Sequence, residues 1–296
     1  MRIAVLDDYQ DAVRGLACFR LLDGHEVKVF THSARGIGQL AARLAPFDAL
    51  VLIRERTAFP AALLARLPNL KLISQTGKVS GHIDVAAATE HGIAIAEGIG
   101  SPVAPSELTW ALIMAASRKL VPYASNLKDG LWQTASLNPV LNGLGRSLRG
   151  RTLAIWGYGK IGQLVAGYAR AFGMRVLVWG SEASRQAALA DGFEAAASRE
   201  ALFAQADVLT LHLRLGEATR GIVKAEDFAR MKPDALFVNT SRAELVEEGA
   251  LEQALRAGRP GQAALDVFAN EPLRPDSPLL RIPTVPVSYT HLRAHE

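Results

Sequence analysis

The stretch RTLAIWGYGKIGQLVAGYARAFGMRVLVWG, Arg151 to Gly180, constrains this chain more than any other. Leu153, Ala154, Ile155 and Trp156 form a short apolar run suited to a parallel strand buried on both faces. Gly157, Gly159 and Gly162 then supply Gly-x-Gly-x-x-Gly, with Tyr158, Lys160 and Ile161 between them. In such a turn the first glycine permits the sharp bend and the second lets backbone approach a pyrophosphate. The third lets the following helix lie close to the strand. The anion would sit on the free N–H groups that open that helix. Ile161, Leu164, Val165, Tyr168, Ala169 and Phe172 fall on one helical stripe that Gly173 ends, and Arg175–Trp179 reads as the next strand. The glycines alone would fit any strand-to-helix turn; strand, turn, helix and strand in register predict a dinucleotide-binding unit.

The acidic residue that usually holds the ribose 2'-hydroxyl, about 20 residues into such a unit, is missing. Gly180 stands there, and Ser181 and Arg185 follow. A hydroxyl and a guanidinium suit a 2'-phosphate, which favours NADP, while Glu182 keeps NAD open.

The 296 residues suffice for two domains of ordinary size. Cys18 is the single cysteine, which excludes a disulfide framework or a multi-cysteine metal site and suits a reducing, cytoplasmic setting. No metal is expected. The most apolar helical stretch, Leu108 to Ala116, is too short to span a bilayer, and no secretory leader is expected. The net charge of +4 is interspersed, which fits anionic small molecules better than nucleic acid.

Before Gly98, strands are expected at Arg2–Leu6, Glu26–Phe30, Ala49–Ile53, Leu70–Ser74 and Ile93–Ala96. Helices are expected around Val13–Ala17, at Ile37–Leu44, Pro60–Leu67 and Val85–Glu90. Ligands of open α/β sheets bind beyond the carboxyl ends of strands, so Arg54 or Arg56 is positioned to meet a carboxylate. The glycine-bearing loop TGKVSGHID, with Gly77 and Lys78, is positioned to do the same or to serve only as a turn. Gly98–Pro105 reads as a domain crossing. Glu107 to about Asp129 reads as one long helix, followed by an arm from Trp132 to Gly150, and the two together are expected to form a dimer interface. Further strands at Ala206–Leu211, Ala235–Asn239 and Gln262–Val267 place His212, Thr240, Arg242, Asp266 and Glu271 at the cofactor edge. Thr219 leads into a nearby turn.

TGKVSGHID, SELTWALIMAASRKL, GYGKIG, ADVLTLHL, VNTSRAELV and ALDVFANEPL occur in the order found in the D-isomer-specific 2-hydroxyacid dehydrogenases, and the chain resembles that family up to about Pro286. The resemblance implies an α/β fold of two doubly wound parallel-sheet domains. A flavodoxin-like substrate domain (1–98) would embrace a Rossmann NAD(P)-binding domain (99–286), with the active site in the cleft. It implies hydride transfer between nicotinamide and a small 2-oxo or 2-hydroxy acid; the helix and arm expected above would place a homodimer interface in the Rossmann domain. Arg242 would bind the substrate carboxylate and carbonyl, Asp266 would lie beside the nicotinamide, and Glu271 would pair with a catalytic histidine. Charge developing on the carbonyl oxygen suits a guanidinium, and a carboxylate behind an imidazole raises its pKa. The alternative from another class is a dinucleotide-sensing binding protein of corepressor type that shares this fold.

Two departures stand out. Ala243 replaces the family's usual glycine after the arginine. The family's histidine belongs in a Thr-Pro-His-(Ile/Leu)-Gly segment, whereas here Val287–Glu296 reads VSYTHLRAHE. That decapeptide resembles a translated sequencing adapter and is expected to be non-native, so the natural histidine and closing helix would be missing. His291 falls near the expected position with the wrong neighbours.

Overall fold

The structure is a computed structural model that describes residues 1–132, 143–271 and 273–282, with the backbone alone at 287–288. It comprises two compact units, one of Met1–Ser101 and one that begins at Pro102. His291 and most of the tail lie outside the described residues, as does the arm between 133 and 142.

In the first unit β1 (Arg2–Leu6), β2 (Glu26–Val29), β3 (Ala49–Leu52), β4 (Leu72–Gln75) and β5 (Ala94–Glu97) form a parallel sheet in the order β2-β1-β3-β4-β5. This is the flavodoxin-like order, with its switch point between β1 and β3. Helices α1 (Ile37–Leu44), α2 (Ala61–Leu64) and α3 (Val85–Glu90) cover one face, burying Leu44, Leu63 and Ala88 against Leu50 and Ile73. Asp84 caps α3 by accepting the Ala87 N–H at 3.0 Å, an interaction worth about 1 kcal/mol. The helix expected around Val13 is instead two 3-10 stretches, Val13–Gly15 and Ala17–Leu22, neither of which buries a residue. The Asp8 carboxylate takes the Ala12 and Val13 amides, and only Val13 and Phe19 pack, partly buried, against Val5, Val29 and Ile53, too little to draw the segment into an α-helix. The helix expected over Pro60–Leu67 is α2 alone, closed by 3-10-type bonds at Arg66 and Leu67.

In the second unit β6 (Thr152–Trp156), β7 (Arg175–Trp179), β8 (Glu194–Ala195), β9 (Val208–Leu211), β10 (Leu236–Asn239), β11 (Gln262–Leu265) and β12 (Val287–Ser288) form a parallel sheet in the order β12-β11-β10-β9-β6-β7-β8. Side chains alternate between two cores, as period-2 strands require. Leu153 and Ile155 of β6 pack with α4 (Val103–Ser117) and α6 (Lys160–Ala171). Ala154 and Trp156 face the side built by Phe203, Phe228 and Leu251, carried by α8 (Arg199–Gln205), α9 (Ala225–Arg230) and α10 (Ala250–Arg256). Both faces are therefore covered, which is the doubly wound arrangement. The remaining helices are α5 (Leu120–Lys128) and α7 (Glu182–Ala190).

The single helix expected from Glu107 to Asp129 is two. Lys119 takes a left-handed φ of 53° between α4 and α5. Pro122 explains the break: within a continuous helix it could not donate to Arg118 and its ring would crowd that carbonyl, whereas in a first turn it is tolerated. The Ser117 carbonyl accepts instead from the Arg146 amide at 2.7 Å.

Candidate functional site

The end of β6 is built around missing side chains. Gly157 has φ 104°, and a Cβ there would lie 2.5 Å from the His212 carbonyl oxygen. A Cβ on Gly162 would lie 2.3 Å from the Gly157 oxygen, so α6 can lie this close to β6 only with glycine there. At Gly159 the Cβ direction is open space, and Gly159 is the N-cap of α6 with no side-chain cap. The opening amides of α6 are thus left without a side-chain cap beside open space, and these residues fit a dinucleotide pyrophosphate. Lys160 is exposed at the mouth, and Ile161 packs partly into the core. Tyr158 differs from expectation. Its side chain is buried and its hydroxyl donates to Asp191 at 2.7 Å, which together with burial pushes its pKa far up. Only its backbone can face a cofactor.

At the end of β7, Ser181 caps α7 by accepting the Ser184 amide. The Arg185 guanidinium lies 4.7 Å over Trp179, donates to the Gly180 carbonyl at 3.2 Å and pairs with Glu182. Gln186 and Arg185 together hold the exposed Glu182 carboxyl below its usual range. A cation and a hydroxyl do stand where the usual acid is absent.

His212 follows β9, its amide donating to Trp156 and its Nε2 lying 3.2 Å from the Thr210 hydroxyl. Withdrawal from water lowers its pKa to about 4, so the ring is neutral at pH 7. After β10 a short turn is tied to the sheet. The Ser241 amide donates to Asn239 Oδ1, the Ser241 hydroxyl to the Leu211 carbonyl, and Asn239 Nδ2 to the Arg242 carbonyl. Arg242 is thereby fixed, its guanidinium donating to the Ser241 carbonyl at 2.7 Å. Asn239 and Ser241 were not singled out above, although an Asn two residues before a Ser is a turn signal. The Thr240 side chain is turned inward: its hydroxyl is buried against Thr109 at 2.7 Å. The Thr219 hydroxyl likewise serves its own loop, accepting from the Gly216 amide and donating to the Arg214 carbonyl. Asp266 is buried at the end of β11, beside β10 in the sheet, its amide donating to Asn239. Glu271 is exposed and accepts the Phe268 amide at 3.2 Å. The second unit therefore gathers Arg242 and Asp266 on adjacent strand ends.

In the first unit Arg54 follows β3 at φ 60°, its amide donating to the Thr76 hydroxyl and its carbonyl accepting from Gln75. Gln75 in turn meets His82 of the TGKVSGHID loop at 3.1 Å. Arg56 is engaged differently, donating to the Asp7 carbonyl and lying 4.6 Å over Tyr9. Lys78 pairs with Glu97 at 2.7 Å, and Gly77 has open space beside it. Among the described residues no group of three or more His, Cys, Asp or Glu side chains could hold a metal, and no helix is long and apolar enough to cross a membrane.

A parallel sheet with this glycine edge defines a dinucleotide-binding α/β protein. Residues 110–291 match the family model described as D-isomer specific 2-hydroxyacid dehydrogenase, NAD binding domain. The chain is similar to the solved phosphoglycerate oxidoreductase of Vibrio cholerae O395, with 59% identity, a TM-score of 0.92 and coverage of 97% of this chain and 90% of that one. It is 33% identical over 273 residues to the D-3-phosphoglycerate dehydrogenase of Archaeoglobus fulgidus, covering 92% of this chain and 50% of the relative. It is 39% identical over 220 residues to the glyoxylate reductase of Aeropyrum pernix, covering 73% and 65%. The chain thus belongs to the D-isomer-specific 2-hydroxyacid dehydrogenase family, and spans about half the length of the Archaeoglobus relative.

Proposed function

We propose that this protein is an NAD(P)-dependent oxidoreductase of a small 2-oxo or 2-hydroxy acid, with residues 1–98 binding the acid and 99–286 the dinucleotide. The observation that carries the reading is Arg242, fixed by Asn239 and Ser241 next to Asp266, on the same sheet edge as the uncapped start of α6. When bound, the nicotinamide would exchange a hydride with C2 of the acid. Arg242 would hold the carboxylate and stabilise charge developing on the carbonyl oxygen. Asp266 would border the nicotinamide, and Glu271 would raise the pKa of a histidine that delivers the proton. Arg54, the Gly77 backbone and Lys78 would meet the carboxylate in the first unit, with Lys78 exchanging Glu97 for it. The cofactor would be held by backbone at Gly157–Gly162 and at His212, Thr219 and Thr240.

Arg185 and Ser181, with Gly180 in place of an acid, support a preference for NADP. A homodimer through the second unit is supported by α5, which buries none of its residues and exposes Leu120, Val121 and Leu127. A reducing, cytoplasmic location is supported by the single cysteine.

The test is consumption of NADPH and of NADH with a panel of 2-oxo acids, for the chain as it stands, for a chain rebuilt past Pro286 with a Thr-Pro-His-Ile-Gly segment and a closing helix, and for two variants of the rebuilt chain. Arg242→Ala should lower kcat/KM about 10²–10³-fold with cofactor affinity unchanged. Arg185→Ala should cut the NADPH preference about tenfold. Cofactor binding by the rebuilt chain without turnover of any acid would sink the oxidoreductase reading, whereas turnover by the rebuilt chain alone supports it.

A further inference from the structure

The opposite edge of the second unit holds a pocket that the proposed reaction does not use. It lies beneath the starts of β9, β10 and β11, bordered by Val208, Leu236 and Gln262, and has a volume of about 30 Å3, room for one small ion or a water or two. Three cations line it, Lys119, Arg146 and Arg151, against two carboxylates, Asp207 and Asp234. Both carboxylates are already matched. Arg146 pairs with Asp234. Asp207 accepts from Lys232 and from the Thr152 amide, each at 2.8 Å, with Arg151 at 3.8 Å. Lys119 is the surplus charge: it is 8% exposed, and among the described residues its ammonium makes no hydrogen bond or ion pair. Burial and the nearby Arg146 charge both lower its pKa. The residue is largely covered while its ammonium still reaches solvent, beside the like charge of Arg146 and, among the described residues, with no carboxylate of its own, and it sits in a left-handed conformation that lysine rarely takes.

We propose that this pocket is a binding site for a small inorganic oxyanion of the phosphate class, which completes the coordination of Lys119 alongside Arg146 and Arg151. Its size excludes a nucleotide, and its place at the strand starts separates it from the dinucleotide edge.

Thermal unfolding of the full chain in inorganic phosphate, against chloride at equal ionic strength, tests this. Phosphate at tenfold its Kd should raise Tm by about 3 °C. Lys119→Arg should keep that rise. Lys119→Met should reduce it to whatever the GYGKIG loop contributes while leaving Tm in chloride unchanged or higher, because repulsion with Arg146 is removed; Lys119→Gln serves if the methionine variant does not fold. The GYGKIG loop is intact in every variant, so phosphate bound there contributes equally to all. An equal rise with the neutral variants, or none with the unaltered chain, overturns the site. Loss of a dimer in Lys119→Met, with no change in the phosphate response, gives the cation to a second copy and overturns it too.

Discussion

At the carboxyl end of β6 the second unit leaves helix amides without a side-chain cap, whereas at the carboxyl end of β1 the first unit surrounds its own carboxylate with donors. Asp7 is buried at φ 60°, and its two oxygens accept from Ser33 at 2.7 Å and Thr57 at 2.6 Å. Asp8 takes two amides, and Arg56 takes the Asp7 carbonyl. The two sheets share parallel strands and open switch points, yet at the first edge the Asp7 and Asp8 carboxylates are satisfied internally, whereas at the second the helix that follows the strand opens without a side-chain cap. Edge chemistry follows from which side chains are absent. Glycines at 157, 159 and 162 supply no atoms to fill the second edge, while Asp7, Ser33 and Thr57 fill the first. On the proposed reading, an anion meets backbone amides at the second edge, and at the first side chains such as Arg54 or Lys78.

The sharpest way to break this contrast is to add one methyl group. Gly162→Ala places a carbon 2.3 Å from the Gly157 carbonyl, and both partners are backbone, so no side chain can swing aside. The expected cost is about 2–3 kcal/mol, with dinucleotide affinity lost as α6 is pushed off β6. Denaturant midpoints and a cofactor fluorescence titration measure both. An unchanged affinity would mean that the close approach of α6 to β6 is not what shapes the edge.

Protonation provides a gentler perturbation of the same edge. The folded-state pKa of His212 is lowered from 6.5 to about 4, so the unfolded chain binds the proton more readily. Stability from this group is present in full above pH 6.5 and is lost as pH falls toward 4. The pKa difference sets an upper limit of about 3 kcal/mol, and partial exposure of the residue reduces this to about 1–2 kcal/mol. Unfolding midpoints between pH 7 and pH 4 should show the loss, and His212→Gln should flatten it. A slope that survives the substitution would assign the acid sensitivity elsewhere.

What could be read from residue order is what repeats along the backbone. The strands of both units are apolar runs, and GYGKIG states part of its own geometry, because Gly157 answers to its left-handed φ and Gly162 to the Gly157 carbonyl a few residues away. Arg242 and Asp266 could be placed because strand ends in a parallel sheet share one edge. Side-chain direction could not. Tyr158 stands within the fingerprint but bonds Asp191, and Thr240 follows a strand but bonds Thr109, partners set by tertiary packing far along the chain. Val13 and Leu16 have helical spacing yet neither is fully buried, since periodicity records an apolar stripe without saying how much of it is covered. The break at Lys119 did have a local signal in Pro122, outweighed by the apolar run on either side. Its burial above a charged pocket had none, because Arg146, Asp207 and Asp234 reach it through the fold.

The smallest expected effect lies in the first unit and sharpens the comparison from the other side. Gly77 has a φ that L-residues adopt readily, and a Cβ there meets nothing within 4 Å. Gly77→Ala should therefore fold normally and gain about 0.4–1 kcal/mol by narrowing the unfolded ensemble. Its dinucleotide affinity should match that of the unaltered chain, in contrast to Gly162→Ala. If the Gly77 backbone meets the acid as proposed, the new methyl group should raise the KM for the 2-oxo acid while leaving the KM for NADPH alone. A rise in neither KM, with the stability gain intact, would leave TGKVSGHID as a turn only, and the acid would then be held in the first unit by Arg54.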